Sequence, residues 1–174
     1  VDEVGALPHP GELLAPHHAD GRLRLGHVDG HDVGFRQQLV QRLDRLADEI
    51  LWCKVGMELF YAEGPTFLDE LARRGLRVFL DLKLHDIPNT MAMALRSLSR
   101  LPADLITVHV PAGEEALAAC AEEVRRLAET ARPAPGLLGV TRLTSLPPPD
   151  PERPWADIVD LAGRAVRAGL FGWV

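Results

Sequence analysis

Arg77-Val-Phe-Leu-Asp-Leu-Lys-Leu-His-Asp-Ile-Pro-Asn-Thr90 joins an apolar run, Val78 to Leu82, to three charged residues near its far end, Asp81, Lys83 and Asp86. In a strand, successive side chains face opposite sides, so Phe79, Asp81 and Lys83 point one way and Val78, Leu80 and Leu82 the other. A run this apolar reads as a parallel strand covered on both faces. A carboxylate and an ammonium on one face of such a strand are costly to bury unless each answers the other. A lone Asp-x-Lys is ordinarily an ion pair closing a strand. Asp-x-Lys-x-x-Asp directly ahead of Ile87-Pro-Asn-Thr90 is much rarer by chance.

Strands and helices alternate on either side of this stretch. Apolar residues at 35, 39, 40, 43, 46 and 47 form a helical stripe over Phe35 to Ile50. Ile50 to Val55 reads as a strand, Gly64-Pro65 opens a helix with proline in its first turn, and Gly75 ends it. Pro88, Asn89 and Thr90 start a helix over 91–100, followed by a strand from Asp104 to His109 and a helix from Gly113 to Glu129. Gly136 to Thr141 is a strand, Ala156 to Ala168 a helix, and Leu170 to Val174 one more strand, with a proline-dense loop over 146–154. This βα repeat predicts a parallel sheet flanked by helices. With the weak candidate Leu23 to Val28 there are six strands, whereas a (β/α)₈ barrel has eight in about 250 residues. The fold class expected is therefore an incomplete (β/α)₈ TIM barrel over residues 23–174, part of a longer chain or completed by a partner. Residues 1–22, rich in Pro, Gly and His and without a period, are expected to be a poorly ordered lead-in.

Of the 174 residues 47% are hydrophobic, 25% charged and 5% aromatic, an ordinary balance for a globular domain. The net charge of −6 argues against broad nucleic-acid binding, which calls for a basic face. No run approaches the eighteen apolar residues of a membrane span, and no signal peptide is legible, so the expected compartment is the cytoplasm. Cys53 and Cys120 are too few for a disulfide framework or a metal cluster and read as buried thiols. His9, His17 and His18 lie in the lead-in, where no fixed metal geometry is expected.

Active sites of βα barrels gather at the C-terminal ends of the strands. Lys54, Asp81, Lys83 and Asp86 all fall there. Trp52, Lys54 and Gly56 share one face of their strand, so Lys54 can reach inward beside Asp81. The four charges alternate in sign and sum to zero, the least costly way to hold them in a dry pocket.

Asp81-Leu-Lys-Leu-His-Asp-Ile-Pro-Asn-Thr90, together with Trp52-Cys-Lys-Val-Gly-Met-Glu-Leu-Phe-Tyr-Ala-Glu-Gly-Pro65, resembles the bacterial type of orotidine 5'-phosphate decarboxylase, densely so from about Asp32 onward. That family converts orotidine monophosphate (OMP) to UMP and CO₂. The resemblance implies that Lys54 contacts the ribose and orients Asp81, that Asp81 lies against the substrate carboxylate, and that Lys83 stabilises and protonates a C6 carbanion. It implies a homodimer in which Asp86, with Ile87 and Thr90, serves the neighbour's site. It also implies no metal, flavin or pyridoxal; that no nucleic-acid or membrane partner is expected rests on the net charge and the lack of an apolar span. Asp32, twenty-two positions before Lys54, matches the ribose-binding Asp by spacing. The preceding Gly26-His-Val-Asp-Gly-His31 is not the family's apolar run, however, and leaves Asp29 as a competitor and a solvated loop acid as the plain reading. Thr144 matches the position that meets the pyrimidine, against an ordinary turn hydroxyl. His109 and His85 are expected to play packing or structural parts.

In the family most of the phosphate site follows the sixth strand, which corresponds to residues beyond Val174. The resemblance therefore implies little or no activity for these 174 residues alone. Two other readings remain open. Asp-x-Lys-x-x-Asp also occurs in magnesium-dependent sugar-phosphate decarboxylases and aldolases of the same superfamily, which usually follow it with Ala-Gly rather than Ile-Pro-Asn-Thr. A non-catalytic remnant, serving as an oligomerisation or packing module, would fit the degraded first strand but not the intact charge array.

Overall fold

A computed structural model describes residues 33–46, 49–129 and 133–174. Asp29, Asp32, the strand candidate Leu23 to Val28, the three lead-in histidines and the lead-in itself lie outside the described residues. The elements in chain order are α1 (Val33–Leu46), β1 (Trp52–Gly56), α2 (Met57–Glu63), α3 (Pro65–Arg73), β2 (Arg77–Leu84), α4 (Pro88–Leu98), β3 (Leu105–His109), a 3₁₀ turn (Val110–Ala112), α5 (Glu114–Ala128), β4 (Gly136–Val140), α6 (Ala156–Arg167) and β5 (Gly172–Trp173). The five strands form one parallel sheet in sequential order, β1-β2-β3-β4-β5. Sequential parallel order with a helix in each crossover is the arrangement of a TIM barrel, of which the described residues form five strands.

The core lies where the helices cover the sheet. Val78 and Leu80 of β2, Ile106 and Val108 of β3, Phe67, Leu68 and Leu71 of α3, Met91 and Leu95 of α4 and Leu117 of α5 are all essentially inaccessible to water. Each such side chain contributes about 1.5–3 kcal/mol relative to exposure, and together they fix the sheet against its helices. Gly139 lets α6 come close: a Cβ there would meet Val110 at 2.8 Å and Ala165 at 3.0 Å. Between α4 and α5, Glu123 is clamped by Arg96 (2.9 Å to each carboxylate oxygen) and by Arg126 at 2.6 and 3.1 Å. Those hydrogen bonds hold its carboxyl down at about 2 despite its burial.

Most boundaries read from sequence shift by a residue or two, as helix ends and strand ends commonly do; the larger differences are α4, which begins three residues early at Pro88, and α1, which ends at Leu46 rather than Ile50. Besides the short 3₁₀ turn, one α-helix was not anticipated. Met57–Glu63 forms a seven-residue helix directly after β1, and Gly64, at φ +70°, closes it and begins α3. Only a glycine adopts that backbone without strain, so a single residue carries the turn between two helices. Pro65 stands at the first turn of α3 and Pro88 at that of α4, where their missing N–H groups cost nothing.

Candidate active site

The C-terminal ends of β1 and β2 bring three of the predicted residues together. Lys54 pairs with Phe79 and Gly56 with Asp81 across the β1–β2 ladder. Gly56 therefore places no side chain opposite the carboxylate, and the four-carbon stem of Lys54 extends past it. The Lys54 ammonium donates to Asp81 Oδ2 at 3.1 Å, and the Lys83 ammonium donates to the same oxygen at 2.8 Å. The second carboxylate oxygen, Oδ1, accepts from the Thr107 hydroxyl at 3.0 Å. Asp81 is 8% exposed. Burial alone would raise its pKa, but the hydrogen bonds from Lys83 and Lys54, followed by their charges, outweigh it and hold the carboxyl below its ordinary value.

Lys83 reaches Asp81 by a route that simple alternation does not describe. β2 and β3 are in register at Leu80 and Ile106, and again at Leu84 and Val108. Four steps along β2 thus match two along β3, so β2 bulges between these points. Lys83 sits in the bulge with φ +51°, the one non-glycine residue with positive φ among the described residues. Its backbone N–H, turned out of the ladder, donates to Thr107 Oγ1 at 2.8 Å. Such a backbone costs on the order of 1–3 kcal/mol and persists where its surroundings over-determine it.

His85 follows the bulge, just past the end of β2. The His85 ring lies 5.1 Å from that of His109 at the end of β3, the two planes tilted by 42°. The pKa of His109 is lowered, first by burial and then by its neighbours His85 and Lys83, against the opposing pull of Asp81. Its Nδ1 is buried without a hydrogen-bond partner among the described residues.

Among the described residues, Asp86, Ile87, Thr90 and Thr144 make no hydrogen bond to this cluster. Asp86 is exposed, and its Oδ1 accepts the Ile87 backbone N–H at 2.7 Å in a local turn. Ile87 is 66% exposed and Thr90 is also open to solvent. Thr144 is exposed in the loop after β4, whose start is pinned by Arg142 donating to the Pro154 carbonyl at 3.0 Å and to Asp157 at 2.9 and 3.1 Å. Sequence reasoning singled out the ionic residues and missed Thr107. The available signal was one hydroxyl inside the otherwise apolar Leu105-Ile-Thr-Val108, on the strand adjacent to Asp81.

A cavity of about 540 Å³ opens at the opposite end of the sheet, between Trp52, Arg77, Asp104, Gly136 and Phe171. Its charges are already matched: Arg77 lies 4.1 Å over the Trp52 ring and donates to Asp104 at 3.0 Å. In a βα barrel that end serves stability rather than chemistry. Cys53 and Cys120 are buried free thiols, each pushed up to about 11 by desolvation, slightly opposed at Cys53 by Lys54. Among the described residues no helix is long and apolar enough to cross a membrane, and no group of three or more His, Cys, Asp or Glu side chains is arranged to hold a metal ion.

Known proteins resemble this chain in both sequence and fold. An orotidine 5'-phosphate decarboxylase from Carboxydothermus hydrogenoformans is 45% identical over 115 residues, 66% of this chain and 48% of the relative. One from Opitutus terrae is 43% identical over 138 residues, 76% of this chain and 58% of the relative. One from Synechococcus sp. is 54% identical over 99 residues, 56% and 41% of the two chains. The chain thus spans about half the length of the curated relatives it matches. Among solved structures, orotidine 5'-phosphate decarboxylase from Lactobacillus acidophilus superposes with a TM-score of 0.71 at 28% identity, covering 87% of this chain and 70% of that one. An uncharacterized conserved protein from Geobacillus kaustophilus superposes with a TM-score of 0.70 at 36% identity, covering 82% and 69%. The sequence profile of one family matches residues 29–173, nearly the whole of the described fold and all of the charge cluster, and this chain is a member of that family, orotidine 5'-phosphate decarboxylase / HUMPS.

Proposed function

We propose that the chain supplies the catalytic half of a cytoplasmic, homodimeric orotidine 5'-phosphate decarboxylase, which converts OMP to UMP and CO₂ without metal or organic cofactor. The observation that carries the reading is the meeting of two ammonium groups on one oxygen of a buried carboxylate, at the catalytic end of two neighbouring parallel strands.

This arrangement suits loss of CO₂ from a carbon that cannot delocalise the electrons left behind. The C6–carboxylate bond breaks, CO₂ departs, and the electron pair stays on C6 in the plane of the pyrimidine. Lys83 stabilises that charge and then gives C6 a proton, recovering one from water afterwards. Asp81, held as an anion, faces the substrate carboxylate. Two negative charges about 4 Å apart repel by about 4 kcal/mol at an effective dielectric near 20, and departure of CO₂ relieves this. Lys54 orients Asp81 and contacts the ribose, and Asp32 takes the ribose hydroxyls. Thr144 meets the pyrimidine from the loop after β4.

Asp86, Ile87 and Thr90 act in the partner's site. Their exposure in a single chain supports that role, because a side chain with few contacts in its own subunit is free to complete another. The test is to incubate OMP with the complete gene product in the presence of EDTA and follow loss of substrate and release of CO₂. Turnover in EDTA supports the reading. Turnover only when Mg²⁺ is restored, or only with a sugar-phosphate substrate, would assign the protein to the metal-dependent branch of the superfamily.

A further inference from the structure

The Asp81 carboxylate is held from both sides, and only one side is ionic. Oδ2 takes both ammonium groups, while Oδ1 takes the hydroxyl of Thr107, a residue of β3 with no exposed surface. A threonine hydroxyl has one proton to donate and lone pairs to accept with. Here a lone pair is engaged by the Lys83 backbone N–H at 2.8 Å, and an N–H can only donate. The single hydroxyl proton is therefore directed at Asp81 Oδ1, 3.0 Å away. The same oxygen thus touches the carboxylate and the backbone of the bulge that carries Lys83. Without it the part-buried N–H of the bulge would lose its partner, and β2 would lose the tie that stands in for its interrupted ladder to β3.

We propose that Thr107 is a positioning residue for the decarboxylase site proposed above, on which this inference rests. Its hydroxyl fixes the orientation of the Asp81 carboxylate and the bulge from which Lys83 returns its ammonium to that carboxylate. Thr107 touches no reacting atom. It acts by keeping two groups that do at the separation the reaction uses, where an error near 1 Å costs about a hundredfold.

The experiment compares the complete gene product with its Thr107→Val and Thr107→Ser variants. It reads kcat and KM for OMP and, by carbon NMR of the labelled carboxyl, the pH midpoint of Asp81. Valine keeps the shape and removes the hydroxyl, whereas serine keeps the hydroxyl and removes the methyl. Thr107→Val is expected to raise the Asp81 midpoint toward the ordinary carboxylate value and to lower kcat about a hundredfold, with KM changed less than about threefold. Thr107→Ser is expected to stay near the parent in both. An unmoved midpoint in Thr107→Val would overturn the proposal, as would a moved midpoint with unchanged kcat. If the valine variant does not fold, the serine variant decides: a kcat as low as that of an Asp81 variant would show that the methyl, not the hydroxyl, is what the site needs. Should neither parent nor serine variant decarboxylate OMP, the functional reading fails, and the midpoint alone then decides whether Thr107 holds Asp81.

Discussion

Replacing Asp81 by Asn tests the charge cluster through its own energetics. The side chain keeps its size, but the negative charge between Lys54 and Lys83 disappears. Both nitrogens are bonded to the same oxygen, at 3.1 and 2.8 Å, so the two ammonium groups lie within about 6 Å of each other. At an effective dielectric of 20, two positive charges at that separation repel by about 3 kcal/mol, and in bulk water by under about 1 kcal/mol. In the parent the two attractions to Asp81 offset this repulsion and the cost of burying the carboxylate together; in Asp81→Asn the repulsion stands uncompensated, and with the lysine side chains 25% and 29% exposed it comes to about 2 kcal/mol. The assay is urea unfolding of parent and Asp81→Asn at pH 7, in low salt and in 1 M NaCl, where screening acts over about 3 Å. The variant should lose about 2 kcal/mol in low salt and recover a large part of it in high salt. Equal stability of the two proteins, or a deficit independent of salt, would show that the ammonium groups do not converge on residue 81.

Other outcomes follow from neighbouring features. Glu123→Gln should loosen the α4–α5 clamp and lower stability by about 1–2 kcal/mol at pH 7, less than the full shift implies because Arg96 and Arg126 are 42% and 47% exposed. The Glu123 carboxyl is held at about 2 against an unperturbed 4.5, so its contribution is complete above about pH 4.5 and fades as pH falls toward 2. The unfolding midpoints of parent and variant should therefore converge over that range. Cys53 and Cys120, with thiols at about 11, should resist a thiol reagent at pH 8 in the folded protein and react promptly in urea; fast labelling of the native state would contradict their burial. Asp86→Ala and Lys83→Met proteins, each inactive alone, should regain turnover when mixed and allowed to exchange subunits, because one site of the hybrid then receives both intact residues. Absence of recovery despite demonstrated exchange would remove the shared-site proposal.

The parallel sheet and most of its helices were legible because their signals are local. The apolar runs over Val78 to Leu82 and Leu105 to Val108, the stop at Gly75 and the prolines at 65 and 88 each act through nearest neighbours in the chain. The helix Met57–Glu63 was not legible. It follows β1 without a spacer and is too short for its period to show, and its closing glycine resembles an ordinary loop residue. The bulge in β2 was hidden for a different reason. No glycine marks it, and the positive φ at Lys83 is stabilised by Thr107, twenty-four residues later in the chain. Alternation put Asp81 and Lys83 on one face, and they do meet, but the contact is made through a distorted backbone. The ionic members of the site were legible because buried charges require partners. Thr107 was not, because a β-branched residue in a strand is unremarkable until its hydroxyl is seen to have two partners.

The most direct measurement of the central claim is CO₂ release from OMP by the complete gene product and by its Lys83→Met variant, in parallel with their unfolding midpoints. Lys83 makes one 2.8 Å ion pair to Asp81 and is the group proposed to stabilise and protonate C6. The account predicts turnover by the parent and a loss of at least about a thousandfold in a variant that remains folded. Turnover by Lys83→Met within tenfold of the parent would contradict it.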